Sequence, residues 1–362
     1  MFKEYRKFGI AFISIFVAIF VISLSLIGVN KALAVEEEGD EEEITPEQFY
    51  DMDDPDEPNL EGSNSNSNPK PVWMIGHRAN NRGDVDKALR QGANGVEIDI
   101  RRGDPSPDPS KDESKWIINH DHYWPNHSLT LEEYFAFQIH DTAKDNDASK
   151  PNKVKDGFCV LFLDIKTPNK DLPGLQSQVR GWMDKYKMQF YVVYQVETFD
   201  QAMMPGGLCQ CWCNHWEGVC MAFDCGKRAK NVIKWDDWCK EHWQNGMAHS
   251  WYGNGIGWEP WWWIKGRINT GLRKGKVYRD SSDGATQKIG TWSLNSEKSI
   301  VNSFIKYDCD WALLEFGGGD VAPNGTRGLR NSQTVLKNYS NKIRLANLND
   351  YPFENSWKAP RK

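Results

Sequence analysis

The sequence predicts an α/β fold, a single (β/α)8 TIM barrel that begins near residue 70 and carries a Cys/Trp-rich insertion and a C-terminal tail. From residue 70 onward, short and continuously apolar runs alternate with segments of helical pattern. Such runs are typical of parallel strands that are buried on both faces. Several runs end in a polar side chain, and in a parallel barrel the strand ends that carry catalytic residues share one face. Alternation over about 280 residues matches the size of one such barrel.

The apolar runs give nine candidate strands, one more than a barrel needs. They are residues 71–76, 94–100, 116–120, 158–166, 190–196, 219–223, 247–251, 288–294 and 311–316. The segment 247–251 is therefore either a barrel strand or a loop. Helices are expected at residues 85–91, 131–143, 172–186, 227–243 and 296–306, with Thr130 as the N-cap of the second because two glutamates occupy its first turn.

The first 34 residues resemble an export signal. An uncharged stretch, residues 8–30, follows a basic start and precedes the small residues Ala32 and Ala34. This pattern predicts cleavage after Ala34, although the stretch is also long enough to remain as a membrane anchor. Either alternative places the remaining chain outside the cytosol, as a secreted or single-pass anchored protein.

Residues 35–69 are predicted to form a disordered linker ahead of a catalytic domain at 70–362. Residues 36–43 contain seven carboxylates and residues 62–68 consist mostly of Ser and Asn. Such compositions bury too little apolar surface to fold. The formal net charge of −6 argues against a nucleic-acid partner.

Six of the eight cysteines lie between residues 209 and 239. The cysteines are residues 159, 209, 211, 213, 220, 225, 239 and 309. Their even number in an exported chain favours disulfide bonds. A zinc site at the Cys-x-Cys-x-Cys run with His215 nearby is the alternative, although its spacing is not that of a standard finger.

Two carboxylates lie on one face of the second predicted strand. Glu97 and Asp99 are two residues apart, so their side chains point the same way. Like charges in an apolar strand repel each other and lose hydration, and a divalent cation or a basic partner would offset this cost. An exposed edge strand is the alternative, but Val96, Ile98 and Ile100 on the other face make it the weaker one.

Further polar groups end other predicted strands. His77 follows the first strand, and Asp164 and Lys166 end the run 158–166. Asp164 and Lys166 form either a structural ion pair or a third metal ligand beside a group that neutralises phosphate. His120 ends the strand 116–120, and His122 would share its face if that strand continued. Three carboxylates without a Cys or His ligand set favour Mg²⁺ over Zn²⁺, and the whole set points to metal-assisted phosphoryl chemistry.

Five strings in the chain resemble the phospholipase D toxins of sphingomyelinase D type. They are GHRAN at 76–80, GANGVEID at 92–99, FLDIKT at 162–167, WSLN at 292–295 and ANLNDYPF at 346–353. Together they extend the resemblance over roughly residues 71–355. The wider glycerophosphodiester phosphodiesterase family shares the barrel, and its His-Arg and His-Asp strings are similar to residues 77–78 and 120–121.

The resemblance implies a set of site residues and a reaction. It implies catalytic roles for His77 and His120, Mg²⁺ ligands at Glu97, Asp99 and Asp164, a phosphate contact at Lys166, and pocket positions at Asn80 and Trp292. The implied reaction is cleavage of a phospholipid or sphingolipid head group, often by attack of the lipid's own hydroxyl to give a cyclic phosphate. One histidine would act as base or nucleophile, and the other would protonate the leaving alcohol.

The chain also departs from the pattern of the toxins. Residues 121–127 contain no cysteine, whereas the venom toxins carry a Cys-rich loop there, and Asn295 stands where the family often has Asp. Residues 205–265 have no clear counterpart, and their Trp-rich segment 258–263 is either an interfacial loop or core packing. The resemblance therefore leaves the head group open.

The expected partners are a lipid substrate and a membrane surface, and the chain is expected to act as a monomer. Two other functions remain as alternatives. One is a glycerophosphodiester phosphodiesterase that acts on soluble diesters, and the other is an inactive barrel that binds lipid or mediates adhesion. The complete set of histidines and carboxylates argues against the inactive barrel.

Overall fold

The computed structural model describes ten ranges of the chain, all within one compact unit, Glu57–Lys362. The ranges are 68–102, 115–120, 129–166, 172–196, 213–224, 235–240, 249–255, 262–281, 285–317 and 326–350. The predicted export signal, the predicted linker up to residue 67 and most of the Trp-rich segment lie outside them. No helix within these ranges is both long enough and apolar enough to cross a bilayer.

Eight parallel strands close into a barrel, as the sequence predicts. They are β1 (Lys70–Gly76), β2 (Gly95–Arg102), β4 (Val160–Ile165), β5 (Tyr191–Val196), β6 (Glu217–Asp224), β7 (Ser250–Gly255), β8 (Thr286–Leu294) and β9 (Trp311–Leu314). Each pairs with the next in parallel, and β9 pairs with β1, which also pairs with β2. The strand at 250–255 settles the ambiguity over residues 247–251. Strands β6 and β7 both lie within the Cys/Trp-rich region 205–265, so these parts of the region belong to the barrel and are not an insertion.

The helices follow the strands in chain order. They are α1 (Asp84–Arg90), α2 (Leu131–Tyr134), α3 (Leu172–Lys185), α4 (Trp262–Asp280), α5 (Glu297–Val301) and α6 (Gly328–Asn338), with a further helical turn at residues 235–240. Wider helical turns extend α2 through Phe135–Ile139 and α5 through Asn302–Lys306. The Thr130 side chain accepts a hydrogen bond from the Glu133 backbone, and the Glu133 carboxylate accepts one from Thr130. Thr130 is therefore the N-cap, as predicted.

The segment predicted as a third barrel strand, 116–120, is a short strand beside the barrel instead. Strand β3 (Trp116–Ile118) pairs antiparallel with β2. A parallel neighbour would need a crossover, usually a helix. The connecting residues 103–114 contain Pro105, Pro107 and Pro109, which disfavour a helix. The prediction counted a hairpin return as a barrel strand.

Aromatic side chains fill the inside of the barrel. Trp73, Trp251, Trp311 and Phe162 belong to the inner hydrophobic cluster and are fully buried. The Phe162 ring centroid lies 5.2 Å from that of Trp251 and 5.1 Å from that of Trp311. A Cβ at Gly290 would overlap the Trp311 ring. The interior is therefore a packed core, and it supports the polar groups above it at the strand ends.

Buried ions hold the opposite end of the barrel, where β1 and β9 begin. Lys70 Nζ lies 2.6 Å from Asp308 Oδ1, and the Arg279 guanidinium contacts Asp308 at 2.6 Å and Asp310 at 2.9 Å. Burial by itself would raise the carboxyl pKa values, but nearby cations, chiefly Lys70 and Arg279, outweigh it and lower the pKa of both Asp308 and Asp310.

The C-terminal residues close this same end. Strand β10 (Ile343–Leu345) pairs in parallel with the start of β1. The chain then passes beneath the barrel, where the Asn94 side chain donates to the Ala346 carbonyl at 2.8 Å and Tyr191 Oη donates to the Leu348 carbonyl at 2.9 Å. These bonds tie the tail to β1, β2 and β5.

The buried cysteines do not form the expected disulfides. Cys159, Cys220, Cys239 and Cys309 carry free thiols. Burial raises the pKa of Cys159 and of Cys309 to about 12, so these thiols stay protonated and unreactive. Cys209, Cys211 and Cys225 lie outside the described ranges, and the first two belong to the Cys-x-Cys-x-Cys run of the zinc alternative, which therefore also stays a prediction. A disulfide among them stays a prediction.

Candidate active site

Three carboxylates converge at the mouth of the barrel. Asp99 on β2 and Asp164 on β4 are register partners, and Glu97 lies one inward-facing position below Asp99 on β2. All three are buried, and one oxygen of each lies within 4.8 Å of the others. Parallel strands that end at the same rim produce this convergence, which the spacing of Glu97 and Asp99 predicts.

The charge of this cluster is only partly balanced by the chain. Burial, then the charges of Asp99 and Asp164, raise the pKa of Glu97 well above its ordinary value. Burial also acts to raise the pKa of Asp99, but Lys166, His120 and a hydrogen bond from Asn80 outweigh it and lower that pKa. Glu97 Oε1 has no hydrogen-bond partner in the described part of the chain. An oxygen-lined, electron-rich site with an unused buried oxygen fits a hard divalent cation.

Lys166 lies at the edge of the carboxylate cluster. Its ammonium is 2.7 Å from Asp164 Oδ2 and 3.4 Å from Asp99 Oδ1. Its backbone N–H donates to the Ile100 carbonyl at 3.0 Å, which continues the pairing of β4 with β2 past Ile165. The geometry is compatible with both interpretations of Asp164 and Lys166, a structural ion pair and a metal ligand beside a phosphate-binding ammonium, and the choice between them stays open.

His77 is held between two carboxylates. Its Nδ1 lies 2.8 Å from Glu315 Oε1, and its Nε2 lies 3.9 Å from Glu97 Oε2. A carboxylate beside Nδ1 favours the tautomer that carries its proton on that nitrogen, so Nε2 faces the carboxylate cluster. Glu315 was missed in the sequence, although it follows the apolar strand β9 just as Asp164 ends the apolar run of β4.

Arg78 occupies the left-handed region, with φ of 56°. Its backbone N–H donates to Glu97 Oε2 at 2.6 Å, and its guanidinium Nη2 lies 3.0 Å from His120 Nε2. Since arginine can only donate, His120 Nε2 is the acceptor in this contact. The unusual backbone angle thus brings a cation to the second histidine.

His120 reaches the site by a different route from the other residues. Because β3 runs antiparallel to β2, the chain after it returns toward the cluster, and the Asn119 N–H donates to the Asp99 carbonyl at 3.0 Å. Arg101 Nε donates to the His120 carbonyl at 3.0 Å. The position of His120 matches the prediction, but the parallel strand expected to carry it does not exist. His122 lies outside the described ranges.

The two predicted pocket residues have different surroundings. The Asn80 side chain donates to Asp99 Oδ2 at 2.7 Å and accepts from the Asp99 N–H at 2.9 Å, so it orients a carboxylate. Trp292 is half-buried and packs against the inner cluster beside Gly253. Ser293, the next residue, is left-handed with φ of 59°, at an irregularity of β8. A pocket role for either residue stays a prediction.

Residues 67–202 match the model of a protein family described as Sphingomyelinase D/Phospholipase D. The resemblance seen in the sequence is to this family. The matched sphingomyelinase D/phospholipase D region includes both histidines, Lys166 and the three carboxylates, whereas Glu315 and Trp292 lie beyond it. The chain is an enzyme of phosphodiesterase, phospholipase D type.

One curated relative extends over most of the chain. Dermonecrotic toxin LiSicTox-betaID1 of Loxosceles intermedia is 25% identical over 321 residues, which cover 82% of this chain and 92% of the toxin. Among solved structures, a glycerophosphodiester phosphodiesterase of Thermotoga maritima is 14% identical, with a TM-score of 0.43, and covers 73% of this chain and 98% of its own. The glycerophosphodiester phosphodiesterase of Parabacteroides distasonis is 13% identical, with a TM-score of 0.44, over 75% and 99%.

Proposed function

We propose that the protein is a Mg²⁺-dependent phospholipase D of sphingomyelinase D type, which removes the head-group alcohol from sphingomyelin or a lysophospholipid. The observation that carries this proposal is the buried cluster of Glu97, Asp99 and Asp164 with His77 beside it and His120 at its rim. Few structural roles would hold three carboxylates this close inside a barrel mouth, because their mutual repulsion is costly.

His77 is the base or nucleophile in this proposal. Glu315 keeps the proton on Nδ1, so Nε2 offers its lone pair toward the cluster. His120 is the acid. A substrate phosphate would compete with His120 for the Arg78 guanidinium, and His120 Nε2 would then be available to carry the proton that the leaving alcohol takes.

Glu97, Asp99 and Asp164 are the residues that would hold Mg²⁺. A donor set made only of carboxylate oxygens suits Mg²⁺ better than Zn²⁺. When bound, the ion supplies charge that stabilises the developing negative charge on the phosphoryl oxygens. Lys166 and Arg78 add two cations of the chain at the same rim, where they would neutralise the phosphate.

The proposed place of action is outside the cytosol, on a membrane surface. The basic start, the uncharged stretch 8–30 and the small residues before Val35 support export, and so does the similarity to a dermonecrotic toxin. A lipid substrate would then be met at an outer membrane leaflet.

One observation favours a second function, a glycerophosphodiester phosphodiesterase that acts on small soluble diesters. Arg78 directly follows His77, and its guanidinium contacts His120. This adds a cation where a small, fully enclosed diester would place its phosphate. The pair His77-Arg78 is also similar to the His-Arg string of the wider phosphodiesterase family.

Choline release from three substrates separates the two functions. The full chain is incubated with Mg²⁺ and sphingomyelin, lysophosphatidylcholine or glycerophosphocholine, and phosphorus NMR identifies the products. Release from either lipid supports the proposal, and release only from glycerophosphocholine supports the second function. His77→Ala is the control, and undiminished choline release by this variant would contradict the mechanism in both cases.

A further inference from the structure

Gln195 on β5 continues the row of site residues across the barrel. In strand register, Asp99 on β2 lies beside Asp164 on β4, which lies beside Gln195 on β5. Tyr191 and Val193 of the same strand belong to the inner cluster. Because strand side chains alternate, Gln195 also points into the barrel, one layer above Val193. A neutral amide thus follows two carboxylates at one level of the mouth.

The amide oxygen of Gln195 is not used by the chain. Gln195 is 3% exposed, and its Oε1 has no hydrogen-bond partner among the described residues. Buried polar atoms are normally satisfied, and leaving one unsatisfied lowers stability. An unsatisfied acceptor that faces a catalytic mouth indicates a ligand that brings a donor.

The neighbouring groups restrict what that donor can be. Adjacent strands are about 4.8 Å apart, so a phosphate held at the Asp164 side places the atoms two to four bonds from phosphorus beside Gln195. Phosphate oxygens are acceptors and cannot satisfy Oε1. A hydroxyl one or two carbons from the esterified carbon can satisfy it, and sphingolipids and lysophospholipids both carry one there. A fully acylated glycerophospholipid has no such hydroxyl.

We propose that Gln195 Oε1 accepts a hydrogen bond from this substrate hydroxyl and makes the enzyme selective for diesters that carry it. The inference rests on the proposed lipid function and deepens it by assigning a residue to substrate choice. A substrate without the hydroxyl leaves the buried oxygen unpaired in the complex, and sites built to pair with a hydroxyl reject such analogues strongly.

Binding of two non-cleavable analogues tests the assignment. Both are short-chain phosphonates of lysophosphatidylcholine, one with a free 2-hydroxyl and the other with a 2-methoxy group. Calorimetry with Mg²⁺ is expected to show that the full chain binds the hydroxyl compound about tenfold more tightly or better. In Gln195→Met, of similar volume but without the acceptor, the ratio should fall to roughly one, through weaker binding of the hydroxyl compound.

Controls keep the test decisive. Gln138→Met removes another buried glutamine, whose Oε1 accepts from the Gly83 N–H at 2.7 Å outside the barrel, and should preserve the ratio. If Gln195→Met does not fold, Gln195→Asn withdraws the amide by one methylene and should also lose the preference. Equal binding of both analogues by the unchanged chain, or an unchanged ratio in a folded Gln195 variant, overturns the assignment.

The proposed function and the role of Gln195 can fail separately. Choline release from lysophosphatidylcholine without any hydroxyl preference in binding would sink only the role of Gln195. If the hydroxyl analogue binds more tightly than the methoxy analogue as expected, but no lipid releases choline, only the proposed activity is overturned. The two measurements use different compounds, so neither result depends on the other.

Discussion

Glu315 Oε1 lies 2.8 Å from Nδ1 of His77, and both side chains are buried. The carboxylate follows β9 and the imidazole follows β1, two paired strands of the barrel. The contact fixes both the ring orientation and the position of its proton, so the opposite nitrogen faces the carboxylate cluster. Glu315 therefore acts on the site through His77.

Replacement of Glu315 should lower turnover more than substrate binding. Glu315→Met removes the acceptor, and kcat should fall by about 10- to 100-fold. Glu315→Gln retains an acceptor oxygen and should lose clearly less. Steady-state kinetics with the best lipid substrate and nitrogen-15 NMR of His77 would check this, since the ring should lose its single tautomer only in the Met variant. Equal losses in the two variants, or a change confined to KM, would contradict the role.

Replacement of Glu97 should separate stability from metal binding. Burial and two neighbouring carboxylates raise the pKa of Glu97, so its charge opposes folding when no metal is bound. Glu97→Gln should therefore raise the melting temperature in EDTA by about 2–4 °C, corresponding to about 1 kcal/mol. Mg²⁺ should raise the melting temperature of the parent chain and much less that of the variant. A variant that is less stable in EDTA but equally stabilised by Mg²⁺ would remove Glu97 from the metal site.

The buried ions beneath the barrel should make the protein acid-sensitive. The pKa of Asp310 is lower in the folded chain than its ordinary 3.8, so below that value the unfolded chain binds more protons. Their contribution to stability is present above about pH 4 and is lost as the pH falls through the folded pKa. Asp310→Asn should lower the free energy of unfolding by about 3–5 kcal/mol at neutral pH, because it leaves Arg279 buried with one partner fewer.

Urea unfolding between pH 2 and 7 would measure both effects of the Asp310 substitution. The difference between parent and variant should shrink toward acid pH, where the parent carboxylate is itself protonated. A difference that stays constant over this range would show that packing, and not charge, accounts for the loss. Asp184→Asn, at an exposed position of α3, is the matched control, and it should leave the free energy of unfolding nearly unchanged.

A side chain at Gly290 should lower the stability of the protein. Its Cβ would overlap the Trp311 ring inside the packed barrel, so Gly290→Ala should destabilise the protein by about 1–3 kcal/mol. Gly181→Ala is the matched control, because Gly181 lies in α3 with open space around its would-be Cβ, and it should stabilise by about 0.5–1 kcal/mol. Thermal unfolding of both variants checks the pair, and equal effects would contradict the packing argument.

The barrel and its carboxylates could be predicted because local patterns carry them. Apolar runs define strands that are buried on both faces, and a two-residue spacing places Glu97 and Asp99 on one face whatever the rest of the chain does. Helices α4 and α6 were missed, since α4 is rich in lysine, arginine and glycine, and α6 contains asparagine and serine. Tertiary packing stabilises both against weak local preference.

The routes by which two residues reach the site could not be predicted from local patterns. His120 arrives on a hairpin return, and its sequence looks like any apolar strand that ends in a polar residue. The partner of Glu315 lies 238 positions away, and only closure of the sheet brings β9 beside β1. Gln195 carries no signal in the sequence, because its significance lies in a hydrogen bond that is absent among the described residues.

Strand β1 takes neighbours from both ends of the chain: β2 follows it directly, whereas β9 and β10 come more than 230 residues later. During synthesis, β1 therefore leaves the ribosome long before β9 and β10 have been made. Closure of the barrel has to wait for the complete polypeptide, so folding should be slow. If such a chain is exported, it would cross the membrane unfolded and assemble its active site only on the far side.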